Sequence, residues 1–251
     1  PYAAKLNAGY EHKAQVRPST GLPDVKESFQ VTARPDVMAS RWPTPRVEGA
    51  ARELMNKAFD LAAEVMSLLE VNIPHLEPGT LRNAHTLWTN ESQVTLRMLH
   101  YPPIRSDDDE PPEGSMRAGA HTDWTCVTLL FQRPGNEGLE CASKFHNTWV
   151  PVDPVAGGVA VNIGDMLAHW SQHSLLSNLH RVRMPDDPTK DRYSIAYFAQ
   201  ADQSQVITTT DPVTGKVSAI TAADYIKGRL KSNYDGDASF KEEEASTTTA
   251  S

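Results

Sequence analysis

The longest regular pattern in the chain runs from Val47 to Glu70. Ala50, Leu54, Ala58, Leu61, Ala62, Val65, Leu68 and Leu69 recur at helical spacing, with Arg52, Glu53, Lys57, Asp60 and Glu64 mostly between them. Apolar residues three and four apart make one stripe, so the spacing predicts an amphipathic helix, closed by Pro74. Residues 1–45 lack such a period and are punctuated by Pro18, Pro23, Pro35, Pro43 and Pro45. They are expected to wrap over a core rather than form part of it. Downstream the pattern turns to short apolar or alternating runs: Val94–Tyr101, Thr125–Phe131, Gly138–Cys141, Trp149–Val152, Val159–Ile163, Met166–Trp170, Leu179–Arg183 and Tyr193–Phe198. Short strands at regular spacing, bounded by Gly and Pro, predict a sandwich or barrel.

A second helix is expected over Tyr225–Leu230. Ala238–Ser251 is too poor in apolar residues to pack and is expected to be a disordered tail. The acidic run Asp107-Asp108-Asp109-Glu110 reads as a solvated loop face. The expected organisation is a single domain over 1–237: wrap and helix over 1–90, β core over 91–200, extension over 201–237.

The 251 residues suit one large domain, and 14 Gly with 18 Pro fit a loop-rich β protein. A formal charge of −8 argues against a nucleic-acid partner or an anionic membrane surface. No apolar run reaches the roughly 18 residues of a membrane helix, and no basic-apolar signal peptide opens the chain. Two cysteines, Cys126 and Cys141, are too few for a disulfide framework and read as a buried reduced pair. A cytoplasmic location follows as the expectation.

The candidate chemistry starts at Gly119-Ala120-His121-Thr122-Asp123-Trp124. In an extended segment His121 and Asp123 share a face, where an imidazole and a carboxylate can bind a divalent metal. Alone, the motif is more often structural. A partner stands on a separate predicted strand: His180, in Ser177-Asn178-Leu179-His180-Arg181-Val182. Two histidines and one carboxylate leave three metal positions open, the arrangement of non-heme Fe(II) oxygenases, whereas a closed four-ligand zinc site leaves none. His169 and His173 stand four apart, but on the strand expected there they would lie about 13 Å apart, too far for one ion. His12, His75, His85, His100 and His146 lack a carboxylate in a matching context.

Arg192-Tyr193-Ser194 puts Arg192 and Ser194 on one strand face. The guanidinium grips a carboxylate bidentately and the hydroxyl adds a bond. The alternatives are a ligand carboxylate in this grip and a surface arginine paired with Asp191.

As a set, Tyr101-Pro102-Pro103, Gly119-Ala120-His121-Thr122-Asp123, Asn162-Ile163-Gly164-Asp165, Ser177-Asn178-Leu179-His180-Arg181-Val182 and Arg192-Tyr193-Ser194 resemble the Fe(II)- and 2-oxoglutarate-dependent dioxygenases of the isopenicillin N synthase-like class. The resemblance covers roughly Leu96 to Phe198. It implies a mainly β fold with flanking helices, a double-stranded β-helix (jelly-roll) barrel. It implies Fe(II) on His121, Asp123 and His180, and 2-oxoglutarate with its far carboxylate on Arg192 and Ser194 and its near one against Tyr101. It implies O2 as the oxidant, with release of succinate and CO2. Two departures stand out. Leu99 occupies the position where the family usually has Asn, and the family's opening strand is not seen, so the chain is expected to start part-way into the fold and to lack substrate contacts from that region.

Strand phase adds a substrate side. If Tyr101 points inward, so do Leu99 and Arg97. A buried arginine needs an anion or polar partner. That partner is either an oxygen-bearing substrate or an inward acid. Trp124 and Phe198, beside the expected ligands, can stack on a planar ring. The expected reaction is oxidation, by default hydroxylation, of a small polar molecule, aromatic or heterocyclic where these rings are used. The competing readings are an oxidase with the same triad that does not use 2-oxoglutarate, and a non-catalytic binding module of the cupin type.

Overall fold

The computed structural model describes residues 1–3, 6–16, 19–104, 111–143, 147–210 and 214–234. The acidic run 107–110 and the tail 238–251 lie outside the described residues. In chain order the elements are β1 (Gly9–His12), β2 (Glu27–Thr32), α1 (Pro35–Met38), α2 (Pro45–Glu70), α3 (Thr80–Asn83), β3 (Thr95–Tyr101), β4 (Ala118–His121), β5 (Val127–Phe131), β6 (Leu139–Ser143), β7 (Thr148–Pro151), β8 (Ala160–Ile163), α4 (Asp165–Trp170), β9 (His180–Val182), β10 (Arg192–Ala199), β11 (Val206–Thr210), β12 (Val217–Thr221) and α5 (Ala222–Tyr234).

The double-stranded β-helix is built from two antiparallel sheets that do not close into a continuous barrel. One has the order β1-β2-β3-β10-β5-β8 and the other β4-β9-β6-β7. In the larger sheet the register stacks side chains in rows. Ser28, Leu99 and Ser194 form one row, and Gln30, Arg97, Ala196 and Leu130 the next. Thr32, Thr95, Phe198, Thr128 and Asn162 form a third. Tyr101 pairs with Arg192 at the far end. The alternate rows point the other way: Val31, Leu96, Tyr197 and Leu129 are all fully buried.

Helix α2 covers that outer face. Thr44 caps it by accepting from the Val47 amide, and Pro45 occupies the first turn, where its missing N–H is no loss. Its buried stripe is Ala51, Met55, Ala58, Ala62 and Met66. The alanines let the helix approach the sheet closely, and the methionines fill the gaps between Leu96, Tyr197 and Leu129 in the same core.

Three elements differ from the sequence reading. Residues 1–45 supply β1 and β2, which are integral strands of the larger sheet. Their alternation is hidden because the side chains on one face, Glu11, Ser28 and Gln30, are polar and buried. Glu11 is bonded by Ser28 and Gln15, and Gln30 borders a cavity, so this face does not carry the apolar residues that mark a core strand. Met166–Trp170 is helical, within α4. Met166, Leu167, Ala168 and Trp170 are all buried, and an apolar run buried all round carries no period to separate helix from strand. The β11–β12 hairpin has no counterpart among the predicted strands, and β12 is largely exposed.

Candidate metal centre and co-substrate cavity

β4 carries His121 at its end, and the turn that follows places Asp123. A cross-sheet partner, His180, stands directly opposite His121 on β9. One ligand atom from each of His121, Asp123 and His180 lies within 4.8 Å of the others. The imidazole rings are 4.4 Å apart between centroids, and His180 Nε2 is 3.7 Å from Asp123 Oδ1.

Local hydrogen bonds fix which nitrogen faces the centre. His121 Nδ1 lies 2.7 Å from the Gly119 carbonyl and His180 Nδ1 lies 3.0 Å from the Asn178 carbonyl. A carbonyl only accepts, so both Nδ1 atoms carry the proton and each Nε2 bears the lone pair that a metal takes. The second carboxylate oxygen of Asp123 accepts from Asn162 Nδ2 at 2.8 Å. The donor set, two imidazoles and one carboxylate oxygen with their outer partners satisfied, fits Fe(II). Among the described residues this is the single such cluster.

The turn is braced from below. The Asp165 amide donates to the Asp123 carbonyl (2.7 Å), and Thr122 Oγ1 donates to Asp165 Oδ2 (2.8 Å). Gly164 is sterically required: a Cβ there would sit 2.2 Å from the Thr125 carbonyl oxygen.

A cavity of about 340 Å³ extends from the three ligands between the sheets. Tyr101, Arg192 and Ser194 line its far end. Arg192 is 1% exposed. It donates to the carbonyls of Asn136 and Glu137, to Gln132 Oε1 and, at 3.4 Å, to Ser194 Oγ. Its guanidinium lies 4.7 Å from the Tyr101 ring centre, and Arg117 stands 6.0 Å from the same ring. Among the described residues neither arginine has a carboxylate within ion-pair distance. Burial, and then the neighbouring Arg192 charge, lower the pKa of Arg117. Two buried cations held only by neutral oxygens create a site that favours an anion. Asp191, the alternative partner weighed for Arg192, engages His100 instead, on the outer face. Leu99 lines the cavity where the resemblance would place an amide.

A second cavity, about 110 Å³, opens on the other side of the ligands. Arg97, His121, Asp123 and Phe198 line both, and Trp124 lines the second. Arg97 Nε donates to Gln30 Oε1, Nη1 lies 3.9 Å from Glu11 Oε1, and the guanidinium lies 6.0 Å from the Phe198 ring centre. The inward acid considered for Arg97 is therefore Glu11, at a distance too long for a hydrogen bond. Tyr2, Asn7, Gln15, Val16 and Gln30, all within the first 45 residues, border this cavity.

Sequence reasoning also missed Asn162, Arg117 and Thr95. Asn162 lay inside a quoted motif without a role. The Thr95 hydroxyl is buried, has no hydrogen-bond partner among the described residues, and borders the second cavity. The cysteines are both free, but they are not an equivalent buried pair: Cys126 is fully buried, while Cys141 is half-buried and lines the larger cavity. His169, in α4, and His173, in the turn after it, come within 6.3 Å between ring centres, yet no third ligand joins them among the described residues.

The model of the 2OG-Fe(II) oxygenase superfamily matches residues 90–201. A 2-oxoglutarate-dependent dioxygenase of an Acremonium species is 34% identical, over 85% of this chain and 69% of the relative. Another, from Didymella fabae, is 31% identical over 90% and 73%. The crystal structure of a full-length Neurospora crassa protein in complex with alpha-KG and thymine superposes with a TM-score of 0.75 at 26% identity, over 93% of this chain and 76% of that one. With these relatives on this fold, and the His-Asp-His cluster intact, the chain belongs to the 2OG-Fe(II) oxygenase superfamily and is a 2-oxoglutarate-dependent dioxygenase.

Proposed function

We propose that this enzyme oxidises, by hydroxylation, a small neutral molecule with a planar polar ring. The observation that carries the reading is Arg97. Its charge is offset by Glu11 at 3.9 Å, while its terminal nitrogens make no hydrogen bond among the described residues. Such a group offers donors to a carbonyl without demanding a full negative charge. Thr95 adds a buried hydroxyl, and Trp124 and Phe198 supply ring faces. The similarity to the Neurospora crassa protein solved with thymine and with 5-formyluracil supports a ring of this kind.

His121, Asp123 and His180 hold the iron in this reading. Arg192 and Ser194 bind the far carboxylate of 2-oxoglutarate, and the Tyr101 ring, 4.7 Å from the Arg192 guanidinium, packs at that same end rather than at the chelating end that the resemblance implies. Bound iron and 2-oxoglutarate supply the oxidising chemistry, with O2 consumed and succinate and CO2 released. The protein's residues do the rest. Arg192 orients the co-substrate, Asn162 holds the Asp123 carboxylate, and Leu130, Leu139 and Val152 keep the cavity dry. Arg97, Trp124 and Phe198 set the ring beside the ligands.

The partner is a small molecule, not nucleic acid or membrane, in keeping with the charge of −8. Two free cysteines, with the Cys126 thiol pushed up to about 12 by burial, suit a reducing cytoplasm. Candidate substrates are tested by anaerobic titration of Fe(II) and 2-oxoglutarate, following the visible charge-transfer band. Neutral ring compounds are expected to perturb the band and to raise succinate formation. Perturbation by carboxylate-bearing compounds alone would overturn the reading.

A further inference from the structure

β4 and β9 do not pair regularly. Ala118 faces Val182 and His121 faces His180, so three steps along β4 match two along β9. The extra residue is a β-bulge lying just before His121. A bulge re-aims the side chain that follows it and leaves backbone groups without ladder partners. Here that shift brings His121 opposite His180.

Three of the polar groups at the bulge are caught by partners outside the ladder. The Gly119 amide donates to Asp24 Oδ1 at 2.8 Å. The Gly119 carbonyl accepts from His121 Nδ1, and the Ala120 carbonyl accepts from Ser19 Oγ at 3.1 Å. One residue on from Asp24, the Val25 amide donates to the Met116 carbonyl (3.0 Å) and ties the same segment to the approach of β4. Asp24 is 2% exposed, and its other oxygen takes the ammonium of Lys26 at 2.6 Å. Lys26 itself is buried and lines the co-substrate cavity. A carboxylate so deeply buried is costly unless its bonds hold it in one place.

We propose that Asp24 is a positioning residue for the iron centre. It pins the bulge through the Gly119 amide, and the pinned Gly119 carbonyl fixes the tautomer and aim of His121. The inference rests on His121 being an iron ligand. It gives Asp24, which lines neither cavity, a part in arranging the iron ligands. Lys26 balances the buried charge and places this lock against the wall of the co-substrate cavity.

The test compares two double variants, D24N/K26M and D24L/K26M. Both remove the buried ion pair and leave the net charge unchanged, but only the first keeps an oxygen to accept from Gly119. Anaerobic Fe(II) binding is expected to stay near wild type in D24N/K26M and to weaken about tenfold or more in D24L/K26M. The 2-oxoglutarate charge-transfer band is expected to differ between the two variants, a comparison in which their shared loss of Lys26 cancels. Equal iron affinity and equal spectra in the two variants would overturn the proposal. Amide hydrogen exchange of the metal-free wild type supplies a readout that needs no variant to fold. The Gly119 amide is expected to be protected, and rapid exchange there would overturn the lock. His121→Ala separates the two levels: wild-type iron binding in that variant would defeat the iron assignment itself.

Discussion

Asn162 donates from Nδ2 to Oδ2 of Asp123 at 2.8 Å, holding the carboxylate oxygen that does not approach His180. The bond crosses from β8 of the larger sheet to the turn after β4, so it ties the metal carboxylate to the opposite sheet. Outer partners of this kind typically contribute about 10–100-fold in metal affinity. Asn162→Ala is expected to weaken Fe(II) binding within that range, measured by anaerobic titration. Asn162→Asp should do worse, because a second carboxylate would face the first. Unaltered iron affinity in both variants would leave Asn162 with a packing role alone.

Arg192 meets only neutral oxygens in a buried site, so removing it should cost binding of an anion rather than folding. A hydrogen-bonded charge is worth about 1.5–3 kcal/mol, or roughly 10–100-fold. Arg192→Ala is expected to raise the 2-oxoglutarate concentration for half-saturation by about that factor. Arg192→Lys should recover part of it, since a lysine keeps the charge but not the fork. A half-saturation concentration unmoved in Arg192→Ala would put the co-substrate elsewhere.

Arg97 and Glu11 form a long pair at 3.9 Å, and Ser28 and Gln15 hold Glu11 Oε1 in place. Glu11→Gln keeps those two bonds and removes the negative charge. Arg97 then becomes an uncompensated cation beside the cavity. Competition measurements are expected to show carboxylate-bearing ring compounds gaining on neutral ones. Arg97→Met is expected to weaken the neutral substrate about tenfold or more while leaving 2-oxoglutarate half-saturation within about twofold, on the value of a charge-assisted bond. A parallel loss of both ligands would show Arg97 acting on the fold instead.

His85 is buried, with Nδ1 donating to the Leu81 carbonyl at 2.7 Å and Nε2 without a hydrogen-bond partner among the described residues. Burial lowers its pKa from 6.5 to about 4. Between those values the unfolded chain binds a proton that the folded chain refuses. The stabilisation is therefore complete above pH 6.5 and is lost as pH falls through the window towards 4. Its full size is about 3 kcal/mol. Urea unfolding of the metal-free protein at pH 7 and pH 4.5 should show the loss. His85→Gln should flatten that part of the profile, because glutamine has nothing to protonate. An equally steep profile in the variant would assign the loss to other groups.

The chemistry was the most legible part of the sequence. His121, Asp123, His180, Arg192 and Ser194 are residue types rarely spared for a β core, so their spacing on predicted strands stood out against an apolar background. Helix α2 was equally plain, because a stripe buried on one side and wet on the other keeps its period. The same logic explains the misses. α4 is buried all round and shows no period, while β1 and β2 bury polar residues on one face and so lose the alternation that marks a strand.

Other relationships exist only in the folded chain. Register is a property of two strands together, so no single segment announces that Gln30 and Arg97 share a row, or that β4 bulges before His121. Contacts such as Asp24 to Gly119 and Asn162 to Asp123 join residues 95 and 39 positions apart. Nothing local distinguishes these polar residues from ordinary surface ones. A candidate iron-binding set could be read from the linear chain, because metal chemistry restricts which side chains can serve. What holds them and what faces them came from the fold, because those roles belong to whichever polar group the sheet register brings within reach.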